Sequence, residues 1–97
     1  MQTLEFDRHA TQPVSRRAHV GVVGSGDLEV LLEPSPDDGA HVVVRTSVDG
    51  FDEVWKAALE RFFARHDVAA SIEINDFGAT PGVVALRLEQ ALELSRS

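Results

Sequence analysis

At 97 residues the chain is long enough for one domain with a single modest core, and its 43 % hydrophobic and 26 % charged residues are ordinary for a globular protein. Sixteen acidic and nine basic residues give a net charge of −7 without a long basic cluster, which excludes nucleic acid as an expected partner. The absence of cysteine excludes disulfides and thiolate chemistry, and the absence of a membrane span or signal peptide predicts a cytoplasmic protein with no membrane partner.

The first part of the chain shows no clear period before about Val14. We predict an irregular N-terminal arm over residues 1–14, with a short extended piece at Thr3 to Phe6. Apolar and polar residues then alternate over 17–23 and again over 28–33, which predicts two half-buried strands joined by a turn at Gly24-Ser25-Gly26-Asp27. After a proline- and glycine-rich turn, alternation over 42–48 predicts a third strand. The chain therefore begins with a predicted three-strand meander.

Two helices are predicted in the second half of the chain. The first begins after Asp49-Gly50, where the period changes to that of a helix, and its core stripe comprises Phe51, Val54, Trp55, Ala58, Leu59, Phe62 and Phe63. A fourth strand follows over 70–75. Thr80 can cap the second helix, which starts at Pro81, runs to about Leu94 and has a core stripe of Val84, Leu88, Ala91 and Leu92. We expect the arm to cover Leu94 and Leu86 to stay exposed for a partner.

The predicted order is βββαβα, which indicates a single α+β domain. We expect a mainly antiparallel four-strand sheet with both helices on one face and charged residues on the other. The helix between the third and fourth strands permits those two strands to be parallel.

Familiar motifs in the chain do not point to catalysis or to metal binding. Gly24-x-Gly26 is followed by a strand and not by a helix, which argues against a dinucleotide site. Ser25 as a hydrolase nucleophile would need a nearby base and a turn into a helix, and the sequence supplies neither. The histidines lack metal-ligand spacing. Read alone, Gly24 to Asp27 is either a plain hairpin turn or a turn that displays a hydroxyl for modification.

Three separated stretches carry a resemblance to a known family: VVGSGDLEVLLEP at 22–34, NDFGATPGVV at 75–84 and RLEQA at 87–91. In order, spacing and total length they resemble the acyl carrier, or δ, subunit of bacterial malonate decarboxylase, over about residues 17–94. The related acyl carrier of citrate lyase bears its prosthetic group on a serine two residues before an aspartate, and Ser25-Gly26-Asp27 preserves that relation. The four-helix acyl carriers of fatty-acid synthesis differ, since strands flank the serine here.

The resemblance implies that Ser25 is the covalent attachment site of 2′-(5″-phosphoribosyl)-3′-dephospho-CoA, with Gly24, Gly26 and Asp27 as the flanking turn. A thioester carrier needs a thiol, and an attached group would supply the thiol that this cysteine-free chain lacks. Asp27 either helps to orient Ser25, or is read by the attaching enzyme, or is a turn residue that satisfies backbone amides. The loop from Asp76 to Gly82 is either a docking surface, a helix N-terminus that meets a phosphate of the arm, or a helix entry that only packs.

The resemblance also implies a role and a set of partners. Acetyl thioester on the arm would exchange with malonate, and the malonyl thioester would then be decarboxylated. The expected partners are the acyl transferase and carboxy-decarboxylase subunits, the malonyl transferase, and the holo-carrier synthase that attaches the group. The catalytic groups would lie on those proteins, so no catalytic residue is assigned to this chain. A citrate lyase carrier and an unmodified interaction domain are the alternatives.

Overall fold

The computed structural model of the chain describes residues 2–21 and 26–96, which form five strands and two helices. In chain order these are β1 (Gln2–His9), β2 (Ala18–Gly21), β3 (Leu28–Pro34), β4 (Gly39–Thr46), α1 (Asp52–Arg65), β5 (Ala70–Asp76) and α2 (Pro81–Arg96). Neither helix, as far as the structure describes them, is long and apolar enough to span a membrane.

The strands form one mixed sheet in the order β1-β4-β5-β3-β2. Three of the neighbouring pairs described are antiparallel, and β4 with β5 is the parallel pair. A parallel neighbour needs a crossover connection, and α1 supplies it between β4 and β5. The predicted α+β class and the mainly antiparallel sheet are therefore confirmed, and the two strands that α1 permits to be parallel are parallel.

The irregular N-terminal arm that we predicted for 1–14 is wrong for Gln2–His9, which form a strand, whereas residues 10–14 belong to no named strand or helix. Residues Gln2 to His9 pair with β4 along its whole length, and the predicted extended piece at Thr3 to Phe6 is only the middle of β1. Leu4 and Phe6 are half-buried, and the ring of Phe6 stacks on Phe63 with centroids 5.8 Å apart. An edge strand buries few residues, which explains why its alternation is weak in the sequence.

The predicted three-strand meander is also wrong in its pairing, although its three strands exist. The strands β3 and β4 follow each other in the chain, yet β5 lies between them in the sheet. The same residues of β5 pair with both neighbours: Ile74 lies opposite Val30 on one side and Val44 on the other. The sheet has five strands where four were predicted, because β1 is added at its edge.

Both helices contribute to one hydrophobic core on one face of the sheet, as predicted. The stripe of α2 is buried at Val84, Leu88, Ala91 and Leu92, and Leu86 is 51 % exposed, in agreement with the sequence. Leu94 is 48 % exposed, so the predicted cover by the N-terminal arm is wrong. β1 lies at the opposite edge of the sheet from β2 and β3, on which α2 packs, and the segment after β1 meets the end of α2 at Ser95, whose carbonyl oxygen accepts from the N–H groups of Ser15 and Arg16.

The stripe predicted for α1 is only partly buried. Trp55, Leu59, Phe62 and Phe63 belong to the core, whereas Phe51 and Val54 are each 47 % exposed. These two residues lie at the start of α1 and line an open groove. The other face of the sheet carries polar contacts between strands, including the ion pair of Arg45 with Glu73 at 2.8 Å and a hydrogen bond between His19 and Glu29 at 3.0 Å.

Candidate functional site

The predicted attachment site lies in the connection between β2 and β3. Gly24 and Ser25 fall outside the described residues, while Gly26 and Asp27 are described. The two flanking strands are antiparallel and pair from Ala18 opposite Leu32 to Gly21 opposite Glu29. Residues 22–27 therefore join two adjacent strands.

On the β2 side, Gly21 is required by its backbone conformation and by its surroundings. Its φ of +91° is a conformation that residues with a side chain rarely adopt. A methyl group built on Gly21 would lie 2.0 Å from the carbonyl oxygen of Leu28, well inside contact distance. The chain thus leaves β2 at a position where only glycine fits.

On the β3 side, Gly26 and Asp27 form backbone hydrogen bonds with the loop that follows β5. The Gly26 N–H donates to the Phe77 carbonyl oxygen at 2.8 Å, and the Phe77 N–H donates to the Asp27 carbonyl oxygen at 2.9 Å. Two residues of one segment thus oppose one residue of the other, and Gly26 has a φ of +79°. This arrangement is that of a β-bulge with glycine in its first position, a device that bends a strand and redirects its side chains.

The Asp27 side chain joins this bulge to α2. Its carboxylate accepts two hydrogen bonds from Arg87, from Nε at 3.2 Å and from Nη2 at 3.0 Å, and a third from the Leu28 N–H at 2.7 Å. The third nitrogen of the guanidinium, Nη1, donates to Gln90 Oε1 at 3.0 Å. A paired guanidinium and carboxylate restrict each other in direction as well as distance, so the bulge is held in a defined position against α2.

This pairing also shifts the pKa values of both residues in the directions that keep them charged. The hydrogen bond from Arg87 is the main cause that lowers the pKa of Asp27 below its ordinary value, and the bond from the Leu28 N–H adds to it. In turn, Asp27 raises the pKa of Arg87. At neutral pH the two residues are therefore an ion pair, with side chains 18 % and 26 % exposed.

The loop from Asp76 to Gly82 connects β5 with α2, and its residue Phe77 pairs with the bulge. Asp76 is 5 % exposed, and its carboxylate accepts hydrogen bonds from the N–H groups of Gly78 and Ala79 and from the Thr46 hydroxyl. Pro81 is the first residue of α2, as predicted, and it has no N–H to offer an anion. This internal hydrogen bonding supports the interpretation that the loop is a helix entry that packs.

One family model matches most of the chain. A sequence model described as the malonate decarboxylase delta subunit, an acyl carrier protein, matches residues 15–95. The chain belongs to this family. The resemblance found in the three short stretches is confirmed.

Individual members of the malonate decarboxylase acyl carrier family are similar over nearly their whole length. The malonate decarboxylase acyl carrier protein of Azotobacter vinelandii is 57 % identical over 94 residues, which cover 96 % of this chain and 95 % of the relative. The protein of the same name from Stutzerimonas stutzeri is 54 % identical with the same coverage. A chain in the crystal structure of a Pseudomonas malonate decarboxylase hetero-tetramer in complex with malonate superposes with a TM-score of 0.91 and 53 % identity, over 97 % of this chain and 98 % of that one.

Two residues that matter for the site were not singled out by sequence reasoning. Arg87 appeared only within the RLEQA stretch, and nothing local connects it with Asp27, which lies 60 positions earlier. Gly21 appeared only as one position of a strand. Its requirement follows from the nearby Leu28 carbonyl, which becomes visible only when the strands are paired. Among the described residues, no cluster of acidic or histidine side chains could hold a metal ion.

Proposed function

We propose that this chain is the acyl carrier subunit of a malonate decarboxylase and that Ser25 is its attachment site for 2′-(5″-phosphoribosyl)-3′-dephospho-CoA. The observation that carries the proposal is the family match over residues 15–95, which includes Ser25 and both flanks of its turn. When bound, the group supplies a thiol that can carry an acetyl or malonyl residue as a thioester, which this cysteine-free chain cannot do by itself.

The chain's own part in loading is limited to one nucleophilic oxygen. The Ser25 hydroxyl would attack the inner phosphorus of the triphosphoribosyl precursor, form a phosphodiester and release pyrophosphate, while its proton passes to a base of the holo-carrier synthase. The described ends of the connection that contains Ser25 are Gly21 and Gly26, and each has a positive φ. The carrier therefore contributes a fixed root for a long arm, and the arm keeps the acyl thiol at a high effective concentration near successive active sites.

The partners proposed for this chain follow from its role as a carrier. They are the acyl transferase and carboxy-decarboxylase subunits, the malonyl transferase and the holo-carrier synthase. The related Pseudomonas chain was solved within a hetero-tetramer, which supports stable association with other subunits. The catalytic acids and bases are assigned to those partners, and the carrier itself is proposed to be non-catalytic.

The test of this proposal is an intact-mass measurement on protein purified from its native host. We expect a mass increase equal to the phosphoribosyl-dephospho-CoA group, and fragmentation should place it on Ser25. Recombinant protein made without the synthase is the control and should have the unmodified mass. An active native complex in which Ser25 is unmodified would show that the proposal is wrong.

For Asp27 we propose that it acts through Arg87 to hold the root of the turn, and not as a group read directly by the synthase. The two hydrogen bonds from Arg87 to this carboxylate support that role. Asp27→Asn and Arg87→Gln should each slow attachment by roughly ten- to a hundredfold, and the double variant should be no slower than either single variant, because all three lose the same contact. The asparagine can still accept the Leu28 N–H.

The rate of mass increase with purified synthase and precursor measures this effect. Arg65→Gln is the matched control, since it removes an arginine whose contact is a 3.7 Å pair with Glu89. If the arm is attached slowly to Asp27→Asn but at the wild-type rate to Arg87→Gln, the synthase recognises the carboxylate directly and the positioning role is wrong.

A further inference from the structure

An open groove lies between the start of α1, the start of α2 and the loops after β4 and β5. Its volume is about 280 Å³, close to the lower end of small-molecule sites, which begin at about 300 Å³. We call it the Trp55 groove. Its apolar walls are formed by Val48, Phe51, Val54, Trp55 and Val84, and Gly78 lies at its edge nearest the bulge.

Three of the five large hydrophobic side chains that are exposed in the described part of the chain line this groove. Val48 is 37 % exposed, and Phe51 and Val54 are each 47 % exposed. Single exposed apolar residues are common on proteins, but a cluster around a concave surface indicates a site that a ligand or partner covers. Leu86 and Leu94, the other two, belong to the outer side of α2 and do not line the groove.

The polar groups at the base of the Trp55 groove are already satisfied. Thr46 and Asp76 are 1 % and 5 % exposed, and the Thr46 hydroxyl donates to Asp76 Oδ2 at 2.8 Å. The other carboxylate oxygen of Asp76 accepts from the loop N–H groups of Gly78 and Ala79. The buried carboxylate disfavours an anionic ligand, and the walls favour an uncharged, mostly apolar one.

The Trp55 groove adjoins the root of the proposed arm. A methyl group built on Gly78, at the groove edge, would lie 3.9 Å from the Gly26 nitrogen. Ser25 is bonded to that same nitrogen through its carbonyl carbon. The phosphodiester of the proposed arm would come first, and the pantetheine lies farther out, beyond a ribose, an adenosine and a diphosphate, so the arm must fold back to bring pantetheine to the groove. The tether raises the local concentration of pantetheine to roughly the millimolar range, where weak apolar contacts suffice for binding.

We propose that the Trp55 groove is a resting site for the pantetheine part of the prosthetic arm. This proposal rests on the attachment of that arm to Ser25. Pantetheine is uncharged, and its two methyl groups can pack against the apolar walls while its two amides and its hydroxyl face the open side of the groove and stay hydrated. The walls would hold the arm between visits to partner active sites, and release would require only the loss of contacts with Val48, Phe51 and Val54.

NMR spectra of the isotope-labelled full chain, with and without an unlabelled arm, test the proposal. We expect the methyl groups of Val48 and Val54 and the indole N–H of Trp55, the chain's one tryptophan, to shift on loading by as much as the Gly26 amide. Isotope-filtered NOEs should connect the two methyl groups of the arm with the Phe51 ring. The methyl groups of Leu86 should not shift, although that side chain is equally exposed.

A pair of variants makes the test specific. Val54→Glu places a charge in the groove and should abolish the NOEs to Phe51, whereas Leu86→Glu places the same charge on the outer side of α2 and should leave them intact. The mass of each sample is measured first. An arm on Ser25 without shifts in the groove overturns the resting site but not the carrier function, and an absent arm in the native complex overturns both. Shifts that appear only when partner subunits are added would assign the groove to a partner side chain and overturn the proposal.

Discussion

Ser25→Ala should abolish both prosthetic-group attachment and malonate decarboxylation in the reconstituted complex. Alanine has no oxygen to form the phosphodiester, and no cysteine in the chain can carry an acyl group in its place. We expect the fold to persist, because substitution of one turn hydroxyl usually changes stability by less than about 0.5 kcal/mol. Intact mass, decarboxylation rate and thermal unfolding of the same preparation measure the three effects.

The matched control for this variant is Ser47→Ala, which removes an exposed hydroxyl elsewhere in the chain. It should be modified and active at the wild-type level. If the Ser25→Ala protein were folded and still gained the mass of the arm, attachment would have to lie at another residue. If it were unmodified but still supported decarboxylation, the carrier role itself would be contradicted.

Gly21→Ala should cause the largest loss of stability among substitutions around the turn. Two costs combine at this position: a side chain at positive φ costs about 1–2 kcal/mol, and the clash with the Leu28 carbonyl oxygen adds about 1–3 kcal/mol. The sum of about 2–5 kcal/mol is a large part of the total stability of a small domain, which is roughly 5–15 kcal/mol. Unfolding in urea, followed by circular dichroism, measures the difference in free energy of unfolding.

Gly26→Ala provides the comparison that separates these two costs. Gly26 also has a positive φ, but a methyl group built on it meets no atom within 4 Å. Its substitution should therefore cost only the conformational part, about 1–2 kcal/mol. Equal losses for the two variants would show that the Leu28 carbonyl moves away without cost and that the clash at Gly21 contributes nothing.

Much of the local structure could be predicted from the sequence because helices and buried strands have their own periods. The stripe of Val84, Leu88, Ala91 and Leu92 and the start of α2 at Pro81 are local signals, and the structure confirms both. The strand β1 was missed because it lies at a sheet edge and half-buries only alternate residues such as Leu4 and Phe6. Its position beside β4 depends on partner residues 30 to 44 positions away in the chain.

The candidate site divides in the same way. The identity of the proposed attachment residue, Ser25, and of its flanks came from short stretches whose order and spacing resemble one family, and the family match supports that resemblance. The contacts that hold these flanking residues in place could not be predicted from the sequence. Asp27 meets Arg87, and Gly26 meets Phe77, only after β3 and β5 pair and α2 packs on the sheet.

The sequence by itself predicted both helices, four of the five strands, the buried stripe of α2 and the resemblance to the family, but it missed β1. Those properties depend on residues close together in the chain or on composition. Only the tertiary structure decided the insertion of β5 between β3 and β4, the ion pair of Asp27 with Arg87, the requirement for Gly21 and the Trp55 groove. Each of these is a contact between distant segments, and such contacts arise from packing the whole core at once, which no local period encodes.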